Sequence, residues 1–267
     1  MHVKKLLVQL LLIVAIAAVG KSWFESSLQQ SYKDLKLGGA GLSIQLRSKL
    51  SQKLAVALLS GFRGVVADFV WIGGHQAWED QVWYKLREAI ELAVVLQPHS
   101  ISFWDLGSWH MAWNASYAES VNTKYHNKAV REKIQKEWIQ AGKQFLLDGI
   151  KNNPDTYELY FRLGWLIYQK ENDPLGAVPW FEKAATYPEA PLYVGRMIGH
   201  MYEKAGKMQE AYGVWKRLWL VDHDQYPGQL WQKIAQMGGQ AEEKLNIPLE
   251  QRVFPSVPKS VRPTHSQ

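Results

Sequence analysis

Residues 154–188 read PDTYELYFRLGWLIYQKENDPLGAVPWFEKAATYP, and this stretch decides the fold. Its apolar residues recur at intervals of three and four, which is typical of amphipathic α-helices and not of strands. The residues that carry the pattern are Tyr160, Leu163, Gly164, Ile167, Tyr168, Ala177, Phe181, Ala184 and Pro188. Proline cannot continue the hydrogen-bond ladder of a helix, so Pro188 marks an end. The stretch therefore predicts two helices joined by a turn around Asp173 and Pro174.

A second copy of the pattern follows in residues 198–222, IGHMYEKAGKMQEAYGVWKRLWLVD, although it lacks the large aromatic residue at its start. Both copies resemble the tetratricopeptide repeat (TPR), a helix–turn–helix unit of about 34 residues. Its glycine and alanine positions lie where the two helices approach closely, and its aromatic residues fill the space between helix pairs. The resemblance implies that the pairs stack into a solenoid with a concave groove that binds peptides or partner proteins.

Weaker copies lie upstream. We expect helices at residues 63–79 and 82–97, and then a helix whose Leu-Gly pair is Leu106 and Gly107, with its partner helix in residues 137–154. The distance from Pro98 to Pro154 exceeds one repeat, which predicts an insertion near residues 118–136. The expected organisation is all-α. It has an N-terminal hydrophobic helix in residues 1–24, a connector in 25–62, a TPR-like repeat domain in 63–245 and a proline-rich extended tail in 246–267.

The N-terminus carries Lys4 and Lys5 before an apolar run from Leu6 to Gly20. A basic segment before an apolar one favours a cytoplasmic N-terminus. We expect residues 6–24 to be a single-pass anchor in a bacterial inner membrane, which leaves the remaining chain in the periplasm. Small residues near Gly20 keep a second interpretation open, in which a signal peptide is cleaved and the protein is secreted to the periplasm.

The composition excludes several classes of site. The chain has 31 Lys and Arg against 25 Asp and Glu, a net charge of +6, without a dense basic run, so no nucleic-acid partner is expected. It contains no cysteine, which excludes disulfides and thiolate metal sites. Nucleophile-elbow, phosphate-loop and dinucleotide motifs are missing from the sequence, and no cofactor is expected.

The 13 tryptophans mostly occur at helical spacing, which favours packing between helices. Within the TPR resemblance, the first helix of each pair lines the groove. The residues expected there are Trp104, Trp109, His110, Arg162, Trp165, Tyr168, Arg196, His200 and Tyr202. A different interpretation is a glycan-binding module that uses exposed tryptophans.

Two further constellations stand out in residues 61–80, GFRGVVADFVWIGGHQAWED. Arg63 and Asp68 are expected to form a structural ion pair inside an apolar helix, because an interior charge needs a partner. His75 and Glu79 are four residues apart and share a helix face. With His110 they form the alternative site of a metal-dependent enzyme, although hydrogen bonding between helices explains them more simply and no metal site is assigned.

The expected function is therefore binding and not catalysis. The sequence predicts a membrane-tethered scaffold that holds protein partners of a membrane or envelope complex and assists its assembly or stability.

Overall fold

The computed structural model of the chain describes residues 61–220 and 228–255. By its internal contacts the chain divides into two units, residues 1–63 and 64–267. The expected membrane anchor, the connector up to residue 60 and residues 256–267 of the expected tail lie outside the described residues. Within the described ranges every regular element is a helix, which confirms the all-α prediction.

The helices follow one another with short connections. They are α1 (Arg63–Glu79), α2 (Trp83–Leu96), α3 (Ile101–Trp109), a π-helical turn (His110–Ala115), α4 (Ser116–Ser120), α5 (Lys128–Asn152), α6 (Tyr157–Lys170), α7 (Pro174–Ala185), α8 (Tyr193–Lys204), α9 (Met208–Leu220), α10 (Gly228–Lys244) and a 3₁₀ turn (Leu249–Gln251). In these ranges no helix combines the length and the hydropathy that crossing a bilayer requires.

The ends of the helices follow the local sequence. Helices α2, α5 and α7 each end two or three residues before a proline, at Pro98, Pro154 and Pro188. At the start of α7, the Oδ1 atom of Asp173 accepts a hydrogen bond from the backbone N–H of Gly176 at 2.8 Å. This N-cap satisfies a backbone donor that has no partner inside the helix. The turn predicted between the two helices of the 154–188 stretch is thus confirmed.

Helices that are consecutive along the chain pack against each other from α2 onward, and α3 also contacts α6. In two of the helix pairs, the helices approach closely at a glycine of the predicted repeat pattern. A Cβ atom on Gly164 would lie 3.1 Å from the ring of Phe181, and one on Gly199 would lie 2.5 Å from the ring of Trp215. The glycines therefore bring α6 onto α7 and α8 onto α9, as the repeat pattern predicts.

Helices α3 and α5 also approach each other at small residues, but these residues are not at the predicted positions. A Cβ atom on Gly142 would lie 2.9 Å from the carbonyl oxygen of Ser108. Ser108 is buried, while Leu106 is 45% exposed. The small residues at the helix contact are therefore Gly107 and Ser108, one residue later than the predicted pair Leu106 and Gly107.

The insertion predicted near residues 118–136 is largely taken up by longer helices. Its first residues continue the π-helical turn into α4, and its last residues form the beginning of α5. Asn127 caps α5, because its Oδ1 atom accepts a hydrogen bond from the backbone N–H of Ala129 at 2.8 Å. Only the turn at residues 121–127 separates the two helices.

The segment after α10 differs from the extended tail that its prolines predict. Phe254 is buried and packs on Tyr212 and Trp219 of α9, with ring centroids 6.2 Å and 5.4 Å away. The buried carboxylate of Glu242 on α10 accepts a hydrogen bond from the backbone N–H of Val253 at 2.6 Å. Residues 247–255 therefore belong to the packed domain. The ring of Phe254 packs on α9, and the carboxylate of Glu242 binds the backbone of this segment.

Candidate functional site

Helices α3, α6 and α8, with the π-helical turn that follows α3, carry aromatic side chains that the core does not fully cover. We call this surface the aromatic face; its members are Trp109, Trp113, Phe161, Trp165, Tyr168 and Tyr193. Trp109 is 42% and Tyr193 is 38% exposed, and the other four are partly buried. In α6, its residues repeat at intervals of four and three, beside the fully buried stripe that includes Leu163 and Leu166. One side of α6 thus builds the core while the adjacent side presents rings outward.

Direct contacts connect the aromatic face across the three helices. The rings of Trp109 and Trp113 are stacked, with centroids 4.6 Å apart and planes 9° apart. Lys170, at the end of α6, places its ammonium 5.1 Å from the centroid of Trp113, a cation–π distance. At the other side, Phe161 of α6 meets the edge of Tyr193 of α8 at 5.3 Å. The rings therefore form two groups, one of Trp109 with Trp113 and one that runs from Tyr168 to Tyr193, and Lys170 of α6 lies on the first group.

Charged groups border the aromatic face. The Nε atom of Arg162 lies 3.0 Å from an Oδ atom of Asp105, which joins α6 to α3. Burial raises the pKa of Asp105 above its ordinary value, although Arg162 offsets part of that effect. On α8, burial lowers the pKa of Arg196, whose Nε atom is buried and has no hydrogen-bond partner within the described residues.

Of the residues predicted to line the groove, Trp109, Trp165 and Tyr168 lie on the aromatic face, and Arg162 and Arg196 lie on its border. His200 is partly buried; its ring meets the edge of Trp215 at 5.0 Å and its Nδ1 atom lies 3.5 Å from Glu203. Tyr202 packs against two hydrophobic clusters of the domain and so belongs to the helix contacts.

The prediction for Trp104 is wrong, because this side chain is 5% exposed and lies in the core. A Cβ atom on Gly149 of α5 would lie 2.8 Å from its ring. Its Nε1–H donates a hydrogen bond to the carbonyl oxygen of Pro98 at 2.8 Å. The register of α3, one residue later than expected, turns Trp104 toward α5 and leaves Asp105 and Trp109 on the outer side.

The sequence analysis did not select Trp113, Phe161 or Tyr193. The signal for the first two was present, since Trp113 is four residues after Trp109 and Phe161 is four residues before Trp165. Residues four apart lie on the same face of a helix. Tyr193 carried no such signal, because only the packing of α8 against α6 brings it to Phe161.

His110 is directed toward α1 and not toward α6. Its ring centroid lies 6.0 Å from that of Trp78 and 6.4 Å from that of Trp71. Its Nδ1 atom lies 3.0 Å from the amide Nδ2 of Asn114, which donates to a neutral Nδ1. Burial and, secondly, the nearby charge of His75 lower the pKa of His110 below its ordinary value of 6.5. The fold therefore favours the neutral imidazole.

Acidification from about pH 7.5 to about pH 5.5 is expected to lower the free energy of unfolding, in part through His110. Because the pKa of His110 is lower in the fold than in the unfolded chain, the unfolded chain binds more protons below pH 6.5 and stability is lost as the pH falls. In His110→Gln the loss on acidification should be smaller. Burial also lowers the pKa of His200, so this residue should still contribute to the loss of stability in that variant.

Urea unfolding at the two pH values measures this effect, with His126→Gln as the control because His126 is exposed. The control should show the same loss of stability as the unmodified protein. An equally large loss in His110→Gln would contradict the assignment.

The structure brings the alternative metal ligands into one neighbourhood without forming a coordination site. The Nε2 atom of His75 lies 3.4 Å from a carboxylate oxygen of Glu79. The ring of Trp78 lies between these residues and His110. It stacks on the ring of His75, with centroids 5.1 Å apart, and forms an edge-on contact with the ring of His110. Among the described residues, no group of three His, Asp or Glu side chains is arranged to hold a metal ion.

The interior position expected for Arg63 and Asp68 is wrong, since both side chains are exposed. Residues five apart lie about 140° from each other around a helix axis. Helix α1 turns Val66, Ala67 and Val70 inward instead. Both charged groups are therefore in contact with water, which explains their presence in an otherwise apolar stretch.

The chain matches no protein-family model, and no curated protein matches it either.

Proposed function

We propose that the helical domain is a TPR-like scaffold that binds a segment of a protein partner along the aromatic face. In this proposal α3, α6 and α8 are the first helices of successive pairs in a solenoid and line its concave groove. The N-terminal apolar segment, residues 6–24, tethers the domain to the bacterial inner membrane on its periplasmic side. There the protein assists the assembly or stability of an envelope complex of several proteins.

The observation that carries this proposal is the aromatic face itself. Aromatic side chains clustered at the surface of a folded domain are typical of an interaction site. Tryptophan, tyrosine and arginine are also the side chains that contribute most to protein interfaces. Here Trp109 and Tyr193 supply exposed rings, and Arg162 and Arg196 supply charge beside them.

The proposal is tested by placing a photo-reactive residue at defined positions of the full-length chain in native membranes. p-Benzoylphenylalanine at Trp109 and at Trp165 should cross-link to the same partner protein. The control position is Lys216, which is exposed on α9 and lies outside the aromatic face. Cross-linking of the same protein with equal yield at Lys216 would contradict the proposal, as would two unrelated partners at Trp109 and Trp165.

Once the partner is identified, Trp165→Ala is expected to weaken its binding by about fivefold or more. Truncating an aromatic residue at the centre of an interface costs more than about 1 kcal/mol of binding free energy. Titration of the purified pair measures the dissociation constant, and Lys216→Ala is the matched surface control. An unchanged constant in Trp165→Ala, with the unfolding midpoint intact, would exclude the aromatic face as the binding site.

A further inference from the structure

A pocket of about 440 Å³ lies between the end of α7, the connection to α8, and helices α8 and α9. Its volume falls in the range of about 300–1,000 Å³ that is typical of ligand pockets. Its lining includes Ala185, Leu192, Gly195, Ile198 and Leu218, with the charged side chains of Glu182 and Arg217. The pocket does not include residues of the aromatic face.

The preceding helix pair fills the corresponding space with one of its own side chains. Tyr160 of α6 is buried and stacks on Trp180 of α7 at 6.4 Å and on Tyr187 at 5.8 Å. The ammonium of Lys183 lies 5.7 Å from the centroid of the Tyr160 ring. An aromatic ring with a cation over its face therefore completes the contact between the two helices of that pair.

In the next pair the ring is missing and the cation is kept. Alignment of Leu163 and Gly164 with Ile198 and Gly199 places Gly195 at the position of Tyr160. The corresponding alignment of Phe181 with Trp215, the rings that lie on those glycines, places Arg217 at the position of Lys183. The pocket thus opens where the repeat pattern calls for the aromatic residue that the second copy lacks.

We propose that this pocket receives an aromatic side chain of a partner polypeptide, with Arg217 against the face of its ring. A guanidinium group stacks on aromatic rings and interacts with their π-electrons. The apolar side chains of Ile198, Leu192 and Leu218 supply the remaining contacts of the ring. The selectivity for an aromatic ring follows from the pocket alone. The inference that a polypeptide supplies this ring rests on the proposed binding function.

The test is a titration of the full-length protein with three probes, monitored through the methyl NMR signals of Leu192, Ile198 and Leu218. The probes are a blocked pentapeptide with a central tryptophan, the same peptide with leucine in its place, and indole alone. We expect ring-current shifts of these methyl signals with the tryptophan peptide and weaker binding of the leucine peptide. Indole is expected to bind at the same place with lower affinity than the tryptophan peptide.

Two variants check the position of the ring. Gly195→Tyr should abolish the shifts, because its own ring occupies the pocket; a Cβ atom there meets only the flexible end of Leu218, at 3.1 Å. Arg217→Gln should weaken binding of the tryptophan peptide by about two- to fivefold, the value of a cation–π contact of about 0.5–1 kcal/mol. Lys183→Gln, in the pair whose ring is already present, is the matched control and should not change the affinity.

Equal binding of the leucine and tryptophan peptides would overturn the aromatic selectivity, and so would unchanged affinity in Arg217→Gln. Indole binding together with exclusion of the tryptophan peptide would overturn the polypeptide source. If the peptide binds as expected while cross-linking at Trp109 and Trp165 finds no common partner, the pocket stands and the aromatic face fails. The two proposals can therefore be judged separately.

Discussion

Replacement of Trp215 by alanine is expected to lower the free energy of unfolding by about 3–5 kcal/mol, the range for removing a large side chain from a packed core. Trp215 is fully buried on α9 and lies on the backbone of α8 at Gly199. Its Nε1–H donates a hydrogen bond to an Oε atom of Glu203 at 3.1 Å. The variant would leave a cavity between α8 and α9 and would remove the indole donor from the partly buried carboxylate of Glu203.

Urea unfolding of the full-length protein, followed by circular dichroism at 222 nm, measures this loss. Trp109→Ala is the matched control, because Trp109 is also a tryptophan on a helix but is 42% exposed. Its loss should be clearly smaller than that of Trp215→Ala, because a large part of the Trp109 surface is already in contact with water in the folded chain. Equal losses in the two variants would contradict the position assigned to Trp215.

Replacement of Glu242 by alanine is expected to lower the free energy of unfolding by about 2–4 kcal/mol, the combined effect of losing hydrogen bonds to a charged acceptor and leaving buried donors unpaired. Glu242 is 1% exposed, and its Oε1 atom accepts hydrogen bonds from the backbone N–H groups of Val253 and Phe254 at 2.6 Å and 3.4 Å. The Tyr212 hydroxyl also lies 3.4 Å from Oε1. Without the carboxylate, Phe254 loses the contact that holds its backbone against α10.

Hydrogen exchange separates this effect from a general loss of stability. The amides of Val253 and Phe254 should exchange faster in Glu242→Ala than in the unmodified protein, while amides in the middle of α6 change only with global stability. Glu242→Gln keeps one acceptor oxygen and is expected to lose less stability, and Glu243→Ala, at the exposed neighbouring position, should lose little. Protection of Val253 and Phe254 that persists in Glu242→Ala would contradict the role of the carboxylate.

The comparison of α6 and α7 with α3 and α5 shows how far local sequence patterns predict this fold. In the 154–188 stretch, the apolar spacing, the Asp173 cap and Pro188 all favour the same two helices, and the Leu163-Gly164 pair lies at the helix contact as predicted. Around Trp104 the sequence predicts a register in which Leu106 and Gly107 form the repeat pair. The structure instead has the register that buries Gly107 and Ser108, because α5 approaches there through Gly142 and Gly149.

In the candidate site, too, some features follow from local sequence patterns and others only from the packing of the helices. Trp109, Trp165 and Tyr168 were expected from the TPR resemblance, which assigns the first helix of each pair to the groove and rests on local sequence patterns. The contact of Phe161 with Tyr193, the ion pair of Asp105 with Arg162 and the position of Lys170 over Trp113 each join different helices. No spacing rule within one helix contains that information.

The sequence by itself determined that the described residues are helical, the approximate bounds of α1 and α2, the prolines that follow α2, α5 and α7, and which glycines bring consecutive helices together. These properties follow from periodicity, capping and the rigidity of proline, all of which act within a few residues. Only the tertiary structure decided that Trp104 lies in the core, that His110 faces α1 and that residues 247–255 pack on α10. Each of these depends on a contact between distant residues, whose free energy is gained only when the packed helices bring them together.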